Sequence, residues 1–197
     1  MSIKSKRLIL SASLAVSVVS FGVMAADTAA TTTTTAGTTM GSGRINFKGT
    51  IVNAPCGIDP SSADQTIDFG QISSNQLNSG GISVKKDVDI KLVNCSFPSA
   101  GNTFTEKTVT AAFTGTTMTS GTNNTQYLGT SGGTNAYINM TAQDGSYVKF
   151  DGSTATNKTK LSDGSNTLHY SAWVTKGSTD VTPGDFTAVA NFVLTYS

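Results

Sequence analysis

An all-β sandwich is the fold class this sequence predicts, on three observations. Short stretches of alternating apolar and polar residues recur along the chain. Clusters of Gly, Asn, Asp and Ser separate them, and beyond the first 25 residues no segment holds a 3.6-residue apolar period over three turns. Two cysteines in a chain marked for export add a staple to that picture.

The export mark comes first in the chain. Lys4, Lys6 and Arg7 precede an apolar run from Leu8 to Val23, and Val23-Met24-Ala25 places small or apolar residues at a cleavage site. This reads as a secretory signal peptide over residues 1–25, cleaved after Ala25. A membrane anchor is the alternative, disfavoured because Ser11, Ser13, Ser17 and Ser20 dilute a run already short for a span. Cleavage leaves ten basic against twelve acidic residues, a net charge of −2. Charged residues make up only 13% of the 197, so no basic or acidic excess points to nucleic acid. That length suits one domain.

Residues 26–43 are small and polar, with a Thr run from Thr31 to Thr35, and nothing in them can bury a face. The pattern changes at Arg44. Ile45, Phe47, Gly49 and Ile51 share one parity, and Arg44, Asn46, Lys48 and Thr50 take the other: a strand with one apolar face, ended by Pro55. Cys56 and Cys95 form an even pair, most simply a disulfide in an exported protein. A loop of about 40 residues closed by it would contribute about 4 kcal/mol in the chain-entropy model. A metal site is the rival reading, but one histidine, His169, and two cysteines 39 apart match no zinc spacing.

Further strands are expected in order. Ile82 to Val93 places Ile82, Val84, Val88, Ile90 and Leu92 on one face. Val109 to Phe113 ends at Gly115; Ala136 to Met140 and Tyr147 to Phe150 are shorter; Leu168, Tyr170, Ala172 and Val174 share a parity in the next. Thr130 to Gly133 and Asp163 to Asn166 supply the turns. The last strand is the most regular. Gly184, Phe186, Ala188, Ala190, Phe192, Leu194 and Tyr196 all fall on even positions.

The two ends suggest an assembly. An ordinary sandwich blunts its edge strands, whereas here a long apolar-faced strand closes the sequence and a loose alternating strand opens the exported part. A paired central strand accounts equally well for the last strand alone. Taken together, the ends allow β-augmentation, in which a strand of one molecule fills a groove in the next. Gly49 would suit a shallow place in such a groove, and the head-to-tail contact would make a filament.

Three blocks, in order and sensibly spaced over about residues 44–197, carry a resemblance. Gly43 to Cys56 (GRINFKGTIVNAPC), Val88 to Cys95 (VDIKLVNC) and Val181 to Tyr196 (VTPGDFTAVANFVLTY) resemble type 1-like fimbrial major subunits of chaperone–usher pili. The resemblance implies an immunoglobulin-like sandwich lacking its seventh strand, within a pilin domain spanning 44–197. A periplasmic chaperone would lend the missing strand, and at the outer-membrane usher the next subunit's N-terminal segment would replace it. The donor strand, about 44–53, would present Ile45, Phe47, Gly49 and Ile51. The acceptor edge would be Phe186, Ala188, Ala190, Phe192, Leu194 and Tyr196. The implied partners are identical subunits in a homopolymer, the chaperone, the usher and, through the fibre, a host-surface glycan. The implied location is a cell-surface fimbria reached through the periplasm. A minor adaptor pilin or a carbohydrate-binding module is the alternative.

No enzyme and no cofactor are expected. No serine sits in a Gly-x-Ser-x-Gly elbow. Asp87/Asp89 and Asp59/Asp64 read as solvated faces rather than an acid–base pair, and His169 as a surface residue. Trp173, opposite in parity to its apolar neighbours, reads as packing on a loop or a neighbouring subunit rather than as a sugar platform.

Overall fold

The structure, a computed structural model, describes residues 43–97, 107–118 and 121–197. The expected signal peptide and residues 26–42 lie outside the described residues. The chain divides into two units, Met1–Gly49 and Thr50–Ser197. In the first, residues 43–49 adopt no helix or strand, and Ile45 and Phe47 are 76% and 91% exposed. Ile51, at the start of the second, is fully exposed. The strand expected at 44–53 is therefore not formed in the single chain. A strand needs a ladder partner, and this segment has none among the described residues.

The second unit is built from strands β1 Gly57–Ile58, β2 Lys86–Cys95, β3 Thr108–Gly115, β4 Leu128–Gly129, β5 Ala136–Ala142, β6 Asp151–Ala155, β7 Thr159–Lys160, β8 Gly164–Lys176 and β9 Ala190–Tyr196. Two single-turn helices, α1 Pro60–Ala63 and α2 Ser74–Asn78, lie between β1 and β2. One sheet has the order β1-β2-β8-β5-β4; the other has the order β6-β3-β7, with β9 also paired to β3. All pairings are antiparallel. This two-sheet, mostly β architecture is the predicted sandwich.

The alternating residues explain the core. Ile90 and Leu92 of β2 and Leu168, Tyr170, Ala172 and Val174 of β8 are buried on the inner face of the first sheet. Val109, Ala111 and Phe113 of β3 meet them from the second. Each large apolar side chain buried this way contributes about 1.5–3 kcal/mol. Phe113 stands edge-on to Tyr170 at 5.2 Å and to Phe150 at 6.5 Å between ring centroids. Cys56 and Cys95 are bonded, tying the approach to β1 onto the end of β2.

Three local expectations change. Val84 is 77% exposed, and the paired strand begins only at Lys86. Ser83 turns inward instead, its amide and hydroxyl both bonded to the backbone of Val174, which flips the parity before β2 begins. Tyr147–Phe150 is not a strand: it makes one isolated bridge, Thr141 to Tyr147, yet still buries Val148 and Phe150. The strand falls just after it, in β6, whose five residues are all exposed and so carry no apolar signal. The turn expected at Asp163–Asn166 is already the start of β8 from Gly164 onward. Trp173 does pack on a loop: it is buried beneath the Tyr147 ring at 5.9 Å, with Lys85 Nζ 4.5 Å above its own ring.

Candidate functional site

A cleft of about 1230 Å³ lies in the second unit. Its two walls come from segments far apart in sequence. One wall is the stretch 62–72, which leads into α2; the other is 181–192, which enters β9. Ile90, Phe113, Met140 and Ala172, drawn from both sheets, and Phe150 from the segment before β6 lie between them as the floor. The cleft thus opens directly onto the hydrophobic core.

Local chemistry holds the first wall at its ends. Asp59 caps α1, its carboxylate accepting from the amide of Ser61 at 2.9 Å, with Pro60 at the first helical position. The Ser61 hydroxyl and amide hold the Asp59 carboxyl below its ordinary pKa. The buried Ser62 hydroxyl accepts from the amide of Lys91, and Gln65 Nε2 donates to the carbonyl of Asp89, pinning this end to β2. At the far end, Asn78 makes two hydrogen bonds to the backbone of Val181, at 2.8 and 3.3 Å, joining the walls. Between these ends, residues 65–73 belong to no strand. They nevertheless alternate: Gln65, Ile67 and Phe69 turn partly inward while Thr66, Asp68 and Gly70 are exposed.

The second wall shows the same alternation. Phe186, Ala188, Phe192, Leu194 and Tyr196 are half-buried against the core, whereas Thr187, Val189, Asn191, Val193 and Thr195 are exposed. Ala190, expected on the apolar face, is exposed. Burial raises the pKa of the Tyr196 phenol. β9 runs along β3 from Val109 opposite Tyr196 to Gly115 opposite Ala190. No strand pairs with its other edge among the described residues. A Cβ at Gly115, opposite the start of β9, would lie 2.3 Å from Leu128 Cδ1 and 3.0 Å from the Val189 carbonyl, so a side chain there would have to displace Leu128.

The walls approach each other toward the Val181 end, where the Phe69 and Phe186 rings lie 6.5 Å apart. Thr134, buried in that part of the cleft, has a hydroxyl with no hydrogen-bond partner among the described residues. An apolar trough between two strand-like walls with unused backbone edges suits an extended peptide, laid down with alternate side chains pointing inward.

The wall at 62–72 was absent from the sequence-based expectation. Its signal was available in the parity of Gln65, Ile67 and Phe69, but three residues are too few to stand out beside the seven of the last strand. Elsewhere, His169 lies exposed on β8 with Nδ1 2.8 Å from the Asp89 carboxylate, and Asp87 is exposed on the neighbouring β2. Among the described residues no group of three or more His, Cys, Asp and Glu is placed to hold a metal ion.

Residues 45–197 match the family model described as fimbrial protein. The F7-2 fimbrial protein of Escherichia coli is 45% identical over 95% of this chain and 97% of its own length. The major MR/P fimbria protein of Proteus mirabilis is 36% identical, over 98% and 99%. Among solved structures, a chaperone–usher pilus determined to explain rod uncoiling superposes with a TM-score of 0.74 at 44% identity, covering 80% of this chain and 97% of that one. The P pilus rod subunit PapA superposes with a TM-score of 0.66 at 45% identity, covering 73% of this chain and all of that one. With a family model spanning most of its length and relatives this similar end to end, the chain belongs to the fimbrial protein family.

Proposed function

We propose that this protein is the major, rod-forming subunit of a chaperone–usher pilus and polymerises with identical copies by donor-strand exchange. It is a structural subunit rather than an enzyme. The observation that carries the mechanism is the cleft: a core left open between two walls, each with a strand-like face and an edge that no strand pairs among the described residues. The occupant is the N-terminal segment of a second copy. Ile45, Phe47 and Ile51 are exposed large apolar residues on one parity, and they meet the inward positions of a groove that needs such side chains. Gly49 sits among them where backbone must come close. Phe186, Ala188, Ala190, Phe192, Leu194 and Tyr196 form the acceptor edge, with Ala190 exposed in the single chain.

An open core is an aggregation hazard, so a periplasmic chaperone covers the cleft until the outer-membrane usher presents the next subunit. Residues 1–25 direct export, 26–43 lead into the donor strand, and 44–197 form the pilin domain, which ends in a fibre at the cell surface. Deleting residues 44–51 tests this. The chaperone-bound subunit is expected in normal yield but unable to insert into the preceding subunit. Fibres of ordinary length from that deletion would contradict it.

A further inference from the structure

The cleft has a polar rim as well as an apolar floor, and its charges are all of one sign. Asp64 and Asp68 stand on the first wall and Asp185 on the second, all three exposed, and no lysine or arginine lines the cleft. None of the three takes part in an ion pair among the described residues. Lys176, which donates to the Asn78 carbonyl near the Val181 end, is itself paired with Asp180 at 3.1 Å. The segment 43–53 has the opposite character: its only charged residues are Arg44 and Lys48, and both are basic. They share the parity opposite to Ile45, Phe47 and Ile51. With the apolar residues facing the floor, alternation turns Arg44 and Lys48 outward, between the two rims.

We propose that this acidic rim, Asp64, Asp68 and Asp185, recognises the outward face of the incoming strand of a second copy through Arg44 and Lys48. The inference rests on the groove reading above and adds a second code to it. The apolar face of the donor sets whether a strand can be held, and the basic face sets how fast a strand of the right kind is captured. Among the described residues the cleft bears two marks of incompleteness independent of its charges: the unpartnered Thr134 hydroxyl and the open edge of β9. Exposed charges on a narrow cleft act on encounter more than on final affinity, by steering at distances up to a Debye length of about 8 Å at physiological ionic strength.

The test is stopped-flow capture of a fluorescently labelled peptide of residues 43–53 by the exported protein, as a function of sodium chloride. Capture of the native peptide is expected to slow as salt rises, the reverse of what apolar burial alone would give. A peptide carrying Arg44→Glu and Lys48→Glu should be captured about tenfold more slowly at low salt. A receiving protein carrying Asp64→Lys, Asp68→Lys and Asp185→Lys should slow the native peptide and restore the charge-reversed one. Thermal unfolding of that variant, expected to match the parent because all three sites are exposed, excludes a folding defect. Capture of the native peptide at a rate indifferent to salt and to both reversals would overturn the rim's role while leaving the groove in place. Absence of any capture of the native peptide would overturn the groove reading itself.

Discussion

The segments at 45–51 and 186–196 carry the same pattern and meet different fates. Ile45, Phe47, Gly49 and Ile51 alternate as regularly as Phe186, Ala188, Ala190, Phe192, Leu194 and Tyr196. Of the C-terminal set, Ala190, Phe192, Leu194 and Tyr196 lie in β9, bonded along β3, and all of the set but the exposed Ala190 are half-buried against the core. The N-terminal set has no ladder partner among the described residues and is exposed. Alternation therefore specifies a face, and a partner edge decides whether that face becomes a strand. In the proposed exchange, the unused pattern at one end and the open cleft at the other are the two halves of one ladder divided between molecules.

Substitutions can separate the two regions. The largest expected effect is in the C-terminal half: Phe192→Asp sets a carboxylate on the half-buried face beside Phe113, 6.2 Å away between centroids, and should leave little folded subunit in the periplasm. Next comes the staple. Reduction of Cys56–Cys95 should lower the unfolding free energy by about 2–5 kcal/mol in denaturant titrations. Phe47→Asp should split folding from assembly, moving the monomer's stability by less than about 0.5 kcal/mol while abolishing fibre formation in electron micrographs. Val193→Asp, on the outward face of β9, should also fall within about 0.5 kcal/mol and sharpen the contrast with Phe192, one residue away.

The smallest effect is acid sensitivity. Asp144 and Asp151 are held at pKa values of about 2: Asp144 chiefly by the Ser146 hydroxyl and Asn157, Asp151 chiefly by the Thr154 amide. A folded-state pKa below the ordinary 3.8 stabilises the fold above that value, and the stabilisation is lost as pH falls toward about 2. The melting temperature should therefore decline from about pH 4 to about pH 2, and less steeply in Asp151→Asn.

Much of this was legible in the sequence, for physical reasons that differ by residue. β3, β5, β8 and β9 show their faces because one side is buried, and Cys56–Cys95 follows from export and an even count. β6 was hidden because all five of its residues are solvated on both faces, so no alternation marks it. Val84 misled because two side-chain and backbone bonds of Ser83 reverse the parity at the start of β2, an effect of tertiary contact. The apolar face at 186–196 was visible in its length. The facing wall was not, since Ile67 and Phe69 gain meaning only when the fold carries them opposite Phe186.

Amide hydrogen exchange on the assembled fibre tests the central claim most directly. Residues 44–51 exchange freely in the monomer if, as the structure has it, they form no ladder. In the fibre they and the open edge of β9, residues 190–196, are predicted to become protected together, as both sides of one new ladder form. Fibres in which residues 44–51 still exchange at monomer rates would contradict it.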